Sequence, residues 1–486
     1  GELLTRLREL RDAGEPEPKR VEVGERVFVR RAFPAEENGT GDLFGGASAT
    51  VERWAQELPF NPRSADQVVR YIEHRRREEI AAAMARGKSE TWAVEHAKHK
   101  VPVDLKKGSE TTGKKELERL AKRTGDRVYA LSVEYREAGI MRDTFVGNWA
   151  PGADGRLHAH FKFAPATGQL STSPNVQNAP TVKKARYGKA FRRMIEARPG
   201  RRLVSFDMRG AHAVTLGFEA RDRDYMRLAG IDIHTFLVVA GLKRLWEPGY
   251  LFGLADDDLR EKLGWAAAKE EYAVLREKQA KPTVHAYGFG MQEATLYHQN
   301  EEHFSGKADA RKLLDTLDGL FPKTAQFRKD IQAKADAQGY LLSLHGFIRR
   351  FWEVYDKRYV TSSYQPRCDE VVYEWRGRRW RRGHGADAEA ATAFLPATDA
   401  FGAKKEHMLD LEESGANERY WLINEIHDDL MFESPDELVE ECVATVRPVM
   451  EAPSRVLVNE VAPGGLAFGV DVKVGRNWAE MEKWKP

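Results

Sequence analysis

Apolar positions first fall into a helical rhythm at Asn61. In NPRSADQVVRYI a serine stands before Val68, Val69 and Ile72, which predicts a capped helix start. The following HRRREEIAAAMARGKSETWAVEHAKH is Ala-rich and strongly charged and extends the helical prediction. A Lys/Gly/Thr loop at 106–115 interrupts it, and Glu116 to Glu137 is predicted as a further helix with Leu117, Leu120, Val128, Leu131 and Tyr135 near helical spacing. Residues 1 to about 58 show weak periodicity and read as an extension packed on, or flexibly tied to, the helices after them. LVSFD (203–207) is a short β-prone run ending in an acid, and Ala211, Val214, Leu216 and Phe218 then come at helical spacing. Residues 224–338 are largely helical in pattern with no strong strand candidate. WLINEIHDDLMFES (421–434) reads as two β segments flanking His427, Asp428 and Asp429, and Gly469 to Val474 as a last strand.

The 486 residues predict about two to four packed units. With 42% hydrophobic and 31% charged residues, and 77 Lys+Arg against 75 Asp+Glu, the chain is neither an acidic nor a basic disordered polymer. Cys368 and Cys442 are its two cysteines, too few for a disulfide framework or a four-cysteine zinc site, and they suit a reducing intracellular compartment. TFLVVAGL (235–242) falls far short of the roughly 20 apolar residues of a spanning helix, so no membrane insertion is expected. The cations are clustered: Lys183 to Arg202 holds nine Lys or Arg against Glu196, and RGRRWRR (376–382) holds five Arg around Trp380. Either cluster alone fits a solvated face. Two with aromatic interleaving favour a polyanion groove.

Asp207 and Asp428 each end a β segment, 221 positions apart. Strands that pair would set the two carboxylates side by side, where hard divalent ions relieve their repulsion and leave positions for phosphates. Two such ions suit an in-line phosphoryl displacement, although acids at a hairpin tip are also ordinary turn residues. In REKQAKPTVHAYGFGM (276–291), Lys278, Lys281, His285 and Phe289 are spaced to share a helix face, cationic at one end and aromatic at the other. That face suits a nucleoside triphosphate, although on its own the pattern fits an amphipathic helix with a basic face and a buried Phe better. Pro282 places a helix start or kink near Lys281. His234 is a phosphate donor or a capping histidine. No Walker loop, dinucleotide fingerprint, HExxH or Gly-x-Ser-x-Gly elbow occurs.

From about Phe60 onward the chain resembles the family A DNA polymerases. The resemblance is carried, in order, by GRLHAHFKFAPATGQLSTSPNVQNAP (155–180), VSFDM, DIHTF, KPTVHAYGFGM, FPK (321–323), GYLLSLHGFIRR (339–350) and INEIHDDLMFESP (423–435). It implies an α+β right-hand fold: an N-terminal extension (1–59), a thumb (60–160), a palm of antiparallel sheet from two segments (161–223 and 339–486), and helical fingers (224–338). It further implies that Asp207 and Asp428 hold two Mg²⁺ ions, or Mn²⁺ in their place, with the Met208 carbonyl as a ligand and Asp429 as an auxiliary acid. Lys281 would contact the incoming phosphates and give a proton to pyrophosphate, with His234 also on the phosphates. His285 and Phe289 would lie beside the nucleotide and the templating base, and Asn175, Gln177, Asn178 and His427 would hold primer and template.

Several positions depart from the family. His212 stands where an acid normally shields the sugar 2′ position. Glu277 takes the place of an arginine, leaving Arg276 or Lys278 as substitute, and Gln169 replaces a primer-touching Arg. AFLPATDAFGAKKE lacks the usual Asn and Gln, and 368–384 has the look of an added hairpin. The roughly 60 residues before the thumb are too few for the family's proofreading domain, so no proofreading is expected. The expectation is a monomeric template-directed DNA polymerase in the cytoplasm of a bacterial or phage-infected cell, acting on primer-template DNA and dNTPs. The alternatives are a polymerase with relaxed sugar choice and a non-catalytic primer-template-binding protein.

Overall fold

The structure is a computed structural model. It describes the strands at 20–23, 26–34 and 50–56 and residues 60–485 apart from 104–109, 164–167, 183–184 and 366–370. Cys368, Lys183 and Lys184 therefore lie outside the described residues. The chain forms two compact units, 1–146 and 147–486.

In the first unit, β1 (Arg20–Val23), β2 (Arg26–Pro34) and β3 (Thr50–Gln56) form one antiparallel sheet. Weak periodicity hides these strands, because arginines interrupt the apolar alternation of RVFVRRAFP. The Ala65–Ala85 helix starts where predicted, with the Ser64 hydroxyl accepting from the Gln67 amide. The charged stretch beginning at His74 divides between that helix and a second one, since Gly87 has φ +82° and Ser89 caps Glu90–His96. The predicted 116–137 helix is likewise two, Lys114–Thr124 and Arg127–Ile140. Gly125 ends the first in the left-handed region, and the Asp126 carboxylate accepts from the Val128 amide to start the second. The break rotates the buried face: Tyr129 and Val133 join Leu117, Leu120, Val68 and Ile72 in the core, while Leu131 and Tyr135 are exposed.

The second unit is built on sheets positioned by helices. A short hairpin pairs β4 (His160–Phe163) with β5 (Leu170–Ser173). The central strand is β6 (Arg201–Met208), whose residues Leu203 to Phe206 are all buried. Helices then run from Arg223 to Gln338, as the pattern predicts. Next come β7 (Tyr340–Leu342) with β8 (Ile348–Arg350), and the three-stranded sheet of β9 (Tyr355–Tyr359), β10 (Val371–Trp375) and β11 (Arg378–His384). After the long Ala388–Glu413 helix come β12 (Leu422–Ile426), β13 (Asp429–Pro435), β14 (Val470–Gly475) and β15 (Glu482–Lys483). These four join β6 in one antiparallel sheet of order β12-β13-β6-β14-β15, so residues from two distant segments share it.

The core of that sheet is Val204, Phe206, Phe432, Val470 and Val472, packed with residues of the Ala211–Glu219, Ala388–Glu413 and Val439–Met450 helices. Gly217 makes a close backbone approach: a Cβ there would stand 2.5 Å from the Met226 amide nitrogen, so only glycine lets the Ala211–Glu219 helix lie against the next one. A second core of Phe236, Leu237, Tyr287, Leu317 and Phe321 holds the helical stretch together. Among the described residues no single helix is long and apolar enough to cross a membrane; one bent pair, Arg223–Ile231 with Ile233–Leu242, passes by length and composition, and its residues Phe236 to Val239 are wholly buried in this core.

Candidate active site

The register of the five-stranded sheet decides what the acids do. Asp429 on β13 and Asp471 on β14 both stand opposite Asp207 on β6, and directly opposed residues of antiparallel strands share a face. Asp428 lies in the two-residue turn between β12 and β13, and its carbonyl accepts the Met208 amide at 3.0 Å. The end of β6 is thus tied to the hairpin tip, and Asp207 and Asp428, 221 positions apart in sequence, are electrostatic neighbours. His427, the other turn residue, is exposed with φ +54°, a left-handed conformation in which histidine is over-represented.

These carboxylates are unequally compensated. Asp471 is held by Arg209 at 3.5 Å and Lys483 at 3.2 Å. Asp429 accepts the Ser205 hydroxyl at 2.7 Å and the Phe206 amide at 3.1 Å. Asp207 has Lys473 at 3.9 Å. Burial, and then the Asp428 charge, push Asp207 up to about 6. Burial pushes Asp429 up to about 7 against the pull of Ser205, with Asp207 adding to the rise. Asp428 is also raised, by burial first. Three half-buried acids whose charges oppose one another form a donor set that a hard divalent cation would relieve. Among the described residues no three His, Cys, Asp or Glu side chains form a ready cage for a metal ion.

A lysine that the sequence reading assigns no role lies beneath the hairpin. Lys404, fully buried in the Ala388–Glu413 helix, donates to the Glu425 carboxylate and to the His427 carbonyl. Burial lowers its pKa, while Glu425, Asp428 and Asp429 draw it back up. Gln177 donates to the Glu425 carbonyl at 3.0 Å and to its carboxylate at 2.8 Å, so it braces the same strand. Asn175 and Asn178 are exposed beside it, the Asn178 amide bonded to the Asn175 side chain at 3.1 Å. The one signal for Lys404 along the chain is its helical spacing from Ala400, Phe401 and Leu411, which puts a cation on the core-facing side.

The helical stretch assembles a second group. Chain from Glu270 to Gly288 is continuously helical, with a wider π turn at Arg276–Ala280 and Pro282 in the first turn of Lys281–Gly288, close to the kink expected at Lys281. Lys278, Lys281 and His285 are exposed; Lys281 stands 3.4 Å from Glu277. Arg276 is instead committed to Asp232, with contacts of 3.1 to 3.3 Å. Burial alone would raise Asp232, but His234, Thr235 and Arg276 hold it well below the usual carboxylate range. His234 lies 3.6 Å from that carboxylate. Phe289 is stacked flat on His212, centroids 4.4 Å apart and planes within 5°, and His285 is tilted against it at 4.6 Å. Burial, then the nearby His285, lowers His212 to about 4, so its ring is neutral at pH 7. Gly288 leaves it room: a Cβ there would be 3.0 Å from the His212 ring.

Residues 87–237 match the profile described as DNA polymerase family A. The chain is 26% identical over 385 residues to the thermostable DNA polymerase I of Thermus filiformis, covering 78% of this chain and 39% of that protein. It is 26% identical over 359 residues to DNA polymerase I of Chloroflexus aurantiacus, covering 71% and 32%. The chain thus spans between about a third and two fifths of these relatives. In structure it is similar to the polymerase domain of Pol1 from M. smegmatis, solved in complex with DNA primer-template and dNTP, with a TM-score of 0.55 and 20% identity over 85% of this chain and 66% of that one. At that identity the likeness concerns the fold.

The charges set two expected outcomes. An acid whose folded pKa is raised adds stability below its ordinary value and loses it as pH climbs through the raised one. In chelator, the melting temperature of Asp207→Asn should therefore gain on that of the native chain between about pH 4 and 8, and a difference independent of pH would contradict the electrostatic account. Lys404→Met strands Glu425, and should cost about 3–5 kcal/mol in urea unfolding. Lys404→Met with Glu425→Gln should recover most of that loss.

Proposed function

We propose, from the premise that this chain belongs to DNA polymerase family A, that it is a template-directed DNA polymerase. A primer 3′-hydroxyl attacks the α-phosphate of a deoxynucleoside triphosphate and pyrophosphate leaves. The observation that carries the reading is the register that sets Asp207 opposite Asp429 with Asp428 at the adjoining turn. Asp207 and Asp428 are the residues that would hold two Mg²⁺ or Mn²⁺ ions, with the Met208 carbonyl beside them. Bound there, the ions would supply Lewis-acid stabilisation of the charge on the transferring phosphoryl group. Asp429, held by Ser205 and the Phe206 amide, is an auxiliary acid beside them.

The chain's own residues do the rest. Lys281 and Lys278 bind the triphosphate from the exposed helix face, and Lys281 gives a proton to the departing pyrophosphate. His234, anchored by Asp232, reaches the same phosphates, and Arg276 fixes that anchor through its own ion pair with Asp232. His285 and Phe289 border the base and sugar. Asn175, Asn178 and His427 contact primer and template, with Gln177 holding the strand behind them. In this reading residues 60–160 serve as thumb, 161–223 and 339–486 as palm and 224–338 as fingers. The enzyme is a monomer working inside the cell, and none of these 486 residues is assigned a proofreading role.

A second reading, a polymerase with relaxed sugar selection, is favoured by His212. Where an acid would repel or bind the 2′ position, this chain presents a neutral ring stacked on Phe289, and its buried Nε2 has no hydrogen-bond partner among the described residues.

Asp207→Ala and Asp428→Ala should each reduce primer extension with dNTPs in Mg²⁺ by about 10²–10³-fold or more while leaving primer-template affinity largely intact. Extension unchanged by Asp207→Ala, or missing from the native chain, would leave a primer-template-binding protein. Under the second reading, discrimination between dNTP and rNTP in single-nucleotide extension should not exceed about 10²-fold, whereas a site built against the 2′-hydroxyl should exceed about 10⁴-fold.

A further inference from the structure

The sheet β10-β11-β9 sorts its side chains in a way that the polymerase reading does not use. Tyr373 pairs with Trp380, and Trp380 pairs with Tyr359, so three aromatic residues form one row across three strands on one face. Tyr359 is 60% exposed and Tyr373 36%, and the Trp380 ring meets Tyr359 edge-on at 6.3 Å. Alternation along the strands puts Arg378 on one side of this row, and Arg382 with its partner Lys357 on the other. Both acids of these strands, Asp356 and Glu374, fall on the opposite face with Arg358, Arg379 and Arg381. Asp356 pairs there with Arg358 at 2.9 Å and Arg381 at 3.2 Å.

The aromatic face has a packed end and an open end. At the packed end Lys357 bonds Asp336 at 2.8 Å, Arg382 lies over Tyr355 at 4.3 Å, and His384 meets Gln292 at 3.2 Å. At the open end Arg378 is exposed beside a tight turn in which Arg376 and Gly377 both have positive φ, the geometry that keeps a two-residue hairpin in register. The row is therefore carried on a fixed support.

We infer that this face of the β9–β11 sheet is a stacking platform for single-stranded nucleic acid. Aromatic faces accept successive unstacked bases whatever their sequence, and the flanking cations take the phosphates. Charge sorting points to this occupant: on the aromatic face the strands carry cations alone, while an apolar or cationic partner would leave Arg378 and Arg382 uncompensated. The inference goes beyond the polymerase reading and does not depend on it.

The test uses the full chain in chelator without nucleotide, so that binding is measured apart from extension. Fluorescence anisotropy with labelled 12-mers of dT and of U reports the platform, and the tighter of the two identifies which strand it serves. Tyr359→Ala with Tyr373→Ala, at exposed positions, should weaken binding of that strand by about tenfold or more. Arg378→Ala should lower the salt slope by about one. Arg358→Ala, which removes one cation from the opposite face, should change binding by no more than about twofold. Unchanged affinity in the double tyrosine variant, an equal loss from Arg358→Ala, or an equal loss for a blunt duplex would overturn the assignment.

Discussion

Three acids at the end of one sheet, Asp207, Asp428 and Asp429, impose the constraint on which the rest of the second unit depends. Burial raises the pKa values of these carboxylates first, and their charges on one another add to the rise. The fold offsets part of it from below. Lys404 reaches out of the Ala388–Glu413 helix to the Glu425 carboxylate and the His427 carbonyl, fixing the turn that bears Asp428. A buried ion pair of this kind contributes little net stability against an apolar substitute, but breaking it is costly. Its value lies in position, since a hairpin tip free to fray would not hold Asp428 beside Asp207.

Compensation from the side is partial by design of the register. Asp471 stands in the same row but is matched by Arg209 and Lys483, and Asp429 by a hydroxyl and an amide, whereas Asp207 has one lysine at 3.9 Å. The negative charge left over is concentrated on Asp207 and Asp428. On the helical side the logic is inverted: Asp232 is saturated by Arg276, His234 and Thr235, which leaves Lys278 and Lys281 as the outward cations. One element therefore ends in under-compensated carboxylates and the other in two exposed lysines, of which Lys281 stands 3.4 Å from Glu277.

Much of this is legible in the sequence, and the illegible parts have physical causes. β6 and the β12–β13 hairpin can be read because short apolar runs end in acids. Their pairing register cannot, because it depends on contacts between residues more than two hundred positions apart. Lys404 is hidden because a lysine in the charged run KKEH resembles a solvated position until the helix is docked. The helix predicted over 116–137 breaks at Gly125 because a glycine before an aspartate forms a stop and a new cap, a local signal masked by the apparent apolar period. The helical stretch that carries Arg276 and Phe289 is legible, but their packing partners, Asp232 and His212, are tertiary facts.

The added hairpin shows the limit of composition as a guide. A net charge of +2 on 486 residues gives no long-range attraction to a polyanion. Attraction must then come from local sorting, and β-strand alternation is an efficient sorter because it separates neighbours in sequence onto opposite faces. In RGRRWRR every arginine looks equivalent along the chain. Once Trp380 is paired with Tyr373 and Tyr359, Arg378 and Arg382 fall on the aromatic side and Arg379 and Arg381 on the side that holds Asp356. Two arginines are consumed in holding the sheet together and two border its rings, so a single basic run supplies both the scaffold and the surface it presents.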